Sequence, residues 1–241
     1  MKSIHGYLQM RTLLFKQPAG LGDIFFLQKI AKKAIKQQWR VLWPIIPEFE
    51  FLSEYLDNGI VWKSIYEVNE YPLWQSNKVV TNEFDDTIIP FQTADQLFPD
   101  ELIMVAKYKL VEEDWEDWAD HFTWKRNEAK EQTAYNKYVH KESYSVSMNW
   151  YGSPPGQKQV TTPKCDVELG FDPDFTPFDY AKIFENAKEL HFVDTCYTYM
   201  FEKLTLKTDA VYIYNRNPEE SIPSWTQTQS LFKKPFRFVH I

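Results

Sequence analysis

LLFKQPAGLGDIFFLQKIAKKAIKQQWRVLWPII, residues 13–46, decides the fold. An apolar run from Met10 to Phe15 reads as a strand, and Asp23 to Gln38 places Ile24, Leu27, Ile30, Ala31, Ala34 and Ile35 at helical spacing with Lys29, Lys32, Lys33 and Lys36 opposite. Arg40 to Ile46 predicts a second strand. Between the first strand and the helix lies Gly20-Leu21-Gly22-Asp23. The chain has only 7 glycines in 241 residues, so a pair two apart in this turn answers a specific demand. Without a Cβ, Gly20 and Gly22 let the backbone turn sharply and approach a ligand. The start of the following helix offers free N–H groups and a partial positive charge. Asp23 can cap that helix, but a cap alone leaves the glycine pair without a purpose.

Working outward, Pro47 to Leu56 reads as a short helix opened by proline. Strand, helix, strand, helix in that order predicts a parallel sheet with crossover helices. VWKSIYEV, NKVVT, DTIIPF and LIMVAKYKLV, between Gly59 and Val111, read as short strands separated by Pro72, Pro90 and Pro99. Glu112 to Tyr138 contains no Gly or Pro and aligns Trp115, Trp118, Phe122 and Ala129 on one face, which predicts one long or broken helix. The second half repeats the pattern. Tyr144 to Trp150 reads as a strand, Gly152 to Gly156 as a turn-rich loop, Thr162 to Thr176 as an irregular linker, and Pro177 to Ala187 as a helix. Glu189 to Val193 is again a strand, Asp194-Thr195 opens a helix through Leu204, and Ala210 to Asn215 closes the unit as a strand. The predicted fold class is α/β, two Rossmann-like halves facing a cleft: an N-terminal domain over 1–110, a bridging helical segment over 111–141 and a C-terminal domain over 142–241.

Composition bounds the function. Hydrophobic residues at 44% and aromatic residues at 17% supply a substantial core. A formal charge of −7 and a pI near 5.3 give no overall attraction to a phosphate backbone, which argues against nucleic acid as an obligatory partner. Cys165 and Cys196 form no CxxC and no Cys/His pattern, so neither a zinc ribbon nor a disulfide framework is expected, and a reducing, cytoplasmic compartment fits. The first residues lack the apolar core of a signal peptide, and no run approaches the ~18 apolar residues of a membrane-spanning helix.

Several motif readings are excluded. A dinucleotide fingerprint requires a third glycine where Phe25 stands, and an acid closing the second strand. No P-loop, HExxH or GxSxG occurs. Asp172-Pro173-Asp174 spells D-x-D, but it precedes Thr176-Pro177 and a helix, where acids favour the helix dipole. Two stretches remain. In ELHFVDTCYTYMFEKL, residues 189–204, a strand ends in Asp194-Thr195 and runs into a helix, so Thr195 and Cys196 present donors where a diphosphate is favoured. Asp-Thr is equally an ordinary helix opening. Trp124-Lys125-Arg126-Asn127, with Lys130 and Lys137, offers cations that could meet a diphosphate in place of a metal, Arg126 first among them. With Glu128 and Glu131 interleaved, the same residues also describe a solvated helix face.

The glycine turn, its helix and the RVLWPI strand together resemble the G-x-G-D element of the heptosyltransferase-like group of GT-B glycosyltransferases. Asp194-Thr195 is similar to the strand-D-[ST]-helix motif in that group's C-terminal half. Cys196 and Tyr197 stand where its motif continues with glycine and histidine. The resemblance implies a metal-independent glycosyltransferase without a resident cofactor, moving a sugar from a nucleotide-sugar donor to a glycan or glycoconjugate hydroxyl. It implies Asp23 as general base beside the acceptor-side loop of Gly20 and Gly22, with Asp194, Thr195, Cys196 and Arg126 on the donor diphosphate. A non-catalytic nucleotide- or carbohydrate-binding module of the same fold is the alternative. A DNA-base glucosyltransferase is another, kept open by the basic stretch Lys125 to Lys141. The 9 tryptophans and 14 tyrosines suit stacking on sugar faces, although most serve a core.

Overall fold

The computed structural model describes residues 11–56, 58–68, 85–88, 97, 98, 100–152, 156–216 and 228–241. The chain forms two compact units whose segments alternate along the sequence. The first comprises Met1–Ala19, Leu27–Ser53 and Asp57–Trp115, the second Gly20–Phe26, Glu54–Leu56 and Glu116–Ile241.

In the first unit, β1 (Thr12–Phe15), β2 (Arg40–Ile45), β3 (Val61–Ser64) and β4 (Asp86–Ile88) form a parallel sheet in the order β3-β2-β1-β4. A parallel sheet is covered on both faces, and Leu13 to Phe15 and Val41 to Ile45 are accordingly buried without a break. Phe15 stacks on Trp43 at 4.2 Å, Trp43 tilts against Trp62 at 5.3 Å, and the Trp43 Nε1–H donates to the Gln17 carbonyl at 2.8 Å. The helix expected from Asp23 to Gln38 is divided into α1 (Leu21–Phe26) and α2 (Gln28–Lys36). The break at Leu27 falls where the chain passes from the second unit to the first. Gln38, at φ 66°, turns the chain into β2. Pro47 opens a 3-10 turn, Pro47–Phe49, followed by α3 (Leu52–Tyr55).

LIMVAKYKLV is not a strand. It forms α4 (Ile103–Lys109), burying Met104, Lys107 and Tyr108, which share one helical face. A short apolar run does not distinguish a strand from a buried helix by periodicity, and Met, Ala and Lys favour the helix. NKVVT and the three separating prolines lie outside the described residues.

The longest segment of the second unit, Glu116–Ile241, begins with α5 (Trp118–His121) and α6 (Glu128–Tyr138), which divide the segment expected as one long or broken helix. Asn127 caps α6, its Oδ1 accepting from the Lys130 N–H at 3.1 Å. The sheet then assembles from β5 (Ser145–Met148), β8 (Val167–Leu169), β9 (Glu189–Val193), β10 (Val211–Tyr214) and β11 (Arg237–Val239), all parallel, in the order β11-β10-β9-β5-β8. β6 (Trp150–Tyr151) and β7 (Lys158–Gln159) form a separate antiparallel pair. β8 lies in the stretch expected as an irregular linker, since three residues carry no readable alternation. A 3-10 turn, Pro177–Tyr180, leads into α7 (Ala181–Asn186), and α8 (Cys196–Lys203) follows β9. None of the described helices is long and apolar enough to cross a membrane.

The core of this unit is aromatic. Phe25 of α1 stacks on Phe122 at 4.4 Å and tilts against Phe178 at 5.4 Å, while Phe26 meets Trp118 at 5.2 Å. Its one fully buried carboxylate, among the described residues, is Asp179. Asp179 accepts from the Thr176 N–H and hydroxyl at 2.8 and 2.9 Å and from the Tyr55 hydroxyl at 2.5 Å, so its burial is matched by donors.

Asp166 links the starts of β5 and β8. It accepts from Lys141 Nζ at 2.6 Å and from the Ser145 N–H at 3.0 Å, and these bonds hold its carboxyl at about 2, below the ordinary 3.8. A depressed carboxyl contributes its full stability above the unfolded value and loses it as pH falls through the folded one. Asp166→Asn is therefore expected to flatten the loss of stability between about pH 4 and pH 2. Urea midpoints measured across that window check this. An acid limb identical to wild type would show that the pairing does not bear on stability.

Candidate functional site

In an open parallel sheet, ligands sit outside the carboxyl ends of the strands where the strand order reverses. In the first sheet the reversal falls between β1 and β4, and the residues leaving β1 are Lys16 to Gly20, the approach to the glycine turn. In the second sheet it falls between β5 and β9. The residues leaving those strands are Asn149-Trp150 and Asp194-Thr195. Each sequence motif thus stands at the reversal of a sheet.

The two glycines have separate causes. Gly20 adopts φ +80°, a left-handed conformation that favours glycine, and a Cβ there would lie 2.4 Å from Asp23 Oδ2. The Asp23 carboxylate folds back over Gly20, while the Ile24 N–H closes the first turn on the Gly20 carbonyl at 3.0 Å. Gly22 has no such backbone constraint. A Cβ at Gly22 would lie 2.8 Å from Cε2 and 3.1 Å from Cδ2 of Tyr199 on α8. The close approach that a bare Cα permits at Gly22 is made by this ring, rather than left open for a ligand.

At the β9–α8 junction the Asp194 N–H donates to the Tyr214 carbonyl at 2.8 Å, and Asp194 Oδ1 accepts from the Thr198 hydroxyl at 3.2 Å. Thr195 is extended, at φ −151° and ψ −166°, and its hydroxyl donates back to the Val193 carbonyl at 3.3 Å instead of capping the helix. The first-turn N–H groups of α8 at Cys196 and Tyr197 precede the helix's own i−4 bonds. Burial pushes the Cys196 thiol up to about 12, against the pull of those two N–H groups, so it stays protonated at neutral pH. Burial also raises the Tyr199 phenol well above its ordinary value. Asp194 and Asp23 push in the same direction, and Arg216 opposes them. Asp23, Asp194 and Arg216 therefore all act on one phenol. Tyr199 and Arg216 escaped the sequence reading: an aromatic residue within a helix reads as core, and Arg216 is a single cation after a strand.

Arg126 is placed differently. Its Nε and Nη2 donate to the two carboxylate oxygens of Glu131, and its Nη1 and Nη2 donate to Glu185 at 3.0 and 2.9 Å. The hydrogen bonds it donates to Glu131 and then to Glu185 raise its pKa against the opposing effect of burial. Arg126, expected on the donor diphosphate, is held between two carboxylates. Two further cations of the basic stretch also meet acids: Lys130 lies 4.0 Å from Glu54, and Lys137 donates to Asp172 at 2.7 Å and Asp174 at 3.5 Å. The D-x-D pair thus sits on a lysine. Among the described residues, no group of three or more His, Cys, Asp or Glu is arranged to hold a metal ion.

No family model matches the chain, and no curated protein matches it by sequence. Among solved structures it is similar to a glycosyl transferase family 9 protein from Veillonella parvula DSM 2008, with a TM-score of 0.52 and 9% identity over 96% of this chain and 87% of that one. The likeness is one of fold, and it matches the expected arrangement of two Rossmann-like halves.

Alanine in place of glycine inside a helix ordinarily stabilises by roughly 0.5–1 kcal/mol. Gly22→Ala is expected to do the reverse, costing about 1–3 kcal/mol through overpacking against Tyr199. The cost should disappear in Gly22→Ala combined with Tyr199→Ala, measured by denaturant titration of the four proteins. A stabilised Gly22→Ala single variant would show that the ring does not constrain α1.

Proposed function

We propose that the chain transfers a glycosyl group from a nucleoside-diphosphate sugar to a hydroxyl of a glycan or glycoconjugate. One observation carries the reading: Asp194-Thr195 and the start of α8 stand at the strand-order reversal of the second sheet, in a chain with the fold of a glycosyl transferase family 9 protein.

On this reading the donor diphosphate meets the N–H groups of Cys196 and Tyr197 and the positive end of the helix. Arg216, exposed just beyond β10, supplies the full positive charge assigned from sequence to Arg126. The protonated Cys196 thiol leaves the site free of a competing anion. Asp23, half-buried with its carboxylate folded over Gly20, takes the proton of the acceptor hydroxyl. The acceptor oxygen then bonds to the anomeric carbon, and the bond from that carbon to the diphosphate oxygen breaks. The electron pair departs with the diphosphate, whose growing charge the helix terminus and Arg216 stabilise. The donor arrives as a substrate, so this chemistry calls on no resident cofactor.

The test is release of nucleoside diphosphate from UDP-, GDP- and ADP-sugars with hydroxyl acceptors, with and without EDTA. Transfer is expected in both conditions. Asp23→Asn is expected to lower kcat by roughly 10²–10⁴-fold while donor affinity holds. A folded Asp23→Asn variant with full activity would remove Asp23 from the base role. Nucleotide binding without release, across donors and acceptors, would make the chain a binding module instead. A rate abolished by EDTA and restored by manganese would overturn metal independence.

A further inference from the structure

Trp150 is 38% exposed and Phe171 is 67% exposed, the large aromatic side chains of the second unit that are turned to solvent among the described residues, with Tyr66 exposed in the first unit. Their place follows from strand register. Leu169, Met148 and Phe192 stand side by side on β8, β5 and β9. Two residues further along the three chains come Phe171, Trp150 and Asp194. The exposed aromatics and the Asp194-Thr195 junction therefore follow the same, carboxyl, edge of the sheet from neighbouring strands.

The support beneath Trp150 is built. β6 pairs Trp150 with Gln159, and the Val160 N–H donates to the Asn149 carbonyl at 2.9 Å. Tyr151 packs on the cluster of Val160, Val193 and Tyr214 over the end of β9. Trp150 Nε1 lies 4.0 Å from where a Cβ on Gly170 would stand, so the indole lies along the exit of β8. A residue with a fixed backbone and a partly exposed ring offers a flat apolar face at low entropic cost.

Resting on the donor reading above, we propose that Trp150, with Phe171 on the adjoining strand, is the platform on which the nucleobase of the donor stacks. A nucleotide with its diphosphate at the start of α8 carries its base across the ribose, and the neighbouring strand exit is where the exposed indole waits. Every base has a π face, so stacking of this kind is sequence-tolerant. The platform adds affinity for nucleosides in general and leaves the choice of base to other groups.

Calorimetry with UDP, GDP, ADP and inorganic pyrophosphate on wild type, Trp150→Ala and Trp150→Phe tests this. Wild type is expected to prefer nucleoside diphosphates to pyrophosphate by about tenfold or more. Trp150→Ala should lose most of that preference for all three bases while keeping its affinity for pyrophosphate, and Trp150→Phe should retain it. A preference unchanged in Trp150→Ala overturns the platform while the donor reading stands. So does an equal loss for nucleotides and pyrophosphate, which marks a structural role, or a change confined to the acceptor KM. Wild type that binds none of the four fails the donor reading itself, and the platform falls with it.

Discussion

The ring of Tyr199 lying on the bare Cα of Gly22 is the contact from which the second unit takes its shape. Around that ring Trp118, Phe26 and Phe232 pack edge-on at 5.4, 6.1 and 5.2 Å. Trp118 in turn donates its indole N–H to the Leu231 carbonyl at 2.8 Å. Three separate stretches of chain thus converge on one side chain, and edge-to-face packing of this kind fixes orientation as well as distance. The position of Asp23 follows from this packing. The residue after Gly22 can only stand where the clamped turn puts it, and Gly20 leaves the room for its carboxylate. The composition of the turn is therefore first a requirement of packing, from which any chemistry at Asp23 inherits its geometry.

Polar groups inside this unit connect elements that apolar packing alone would leave free to slide. Asp179 joins the turn before α7 to α3 through Tyr55, and Arg126 joins α6 to α7 by bridging Glu131 and Glu185. Paired carboxylates around one guanidinium take four of its five N–H donors and hold the fork within the fold. At Arg126 local acid content thus pairs the charge within the fold.

The strand-turn-helix-strand at the start of the chain was legible because each part carries its own local signal: an apolar run, a glycine pair, a lysine stripe. The same holds for β9 and the helix after it. α4 was misread because its apolar run is too short for its period to show, and β8 was missed because three residues carry no pattern. Arg126 could not be placed from sequence, since Glu185, which completes its coordination, comes from a distant helix. The purpose of Gly22 was hidden for the same reason: its partner is in the other half of the sequence. Local periodicity thus found the elements, while the side chains that give the site its geometry depend on contacts between residues far apart in the chain.

The alternation of the two units along the chain has a consequence for how the protein folds. Phe25 and Phe26 of α1 are buried by Phe122, Phe178, Trp118 and Tyr199, all of them from far later in the chain. A fold dominated by such distant pairings closes slowly and spends that time with apolar surface exposed. The second unit draws α1 from well before the rest of its segments, so the glycine turn belongs to a long-range pairing and not to a local one.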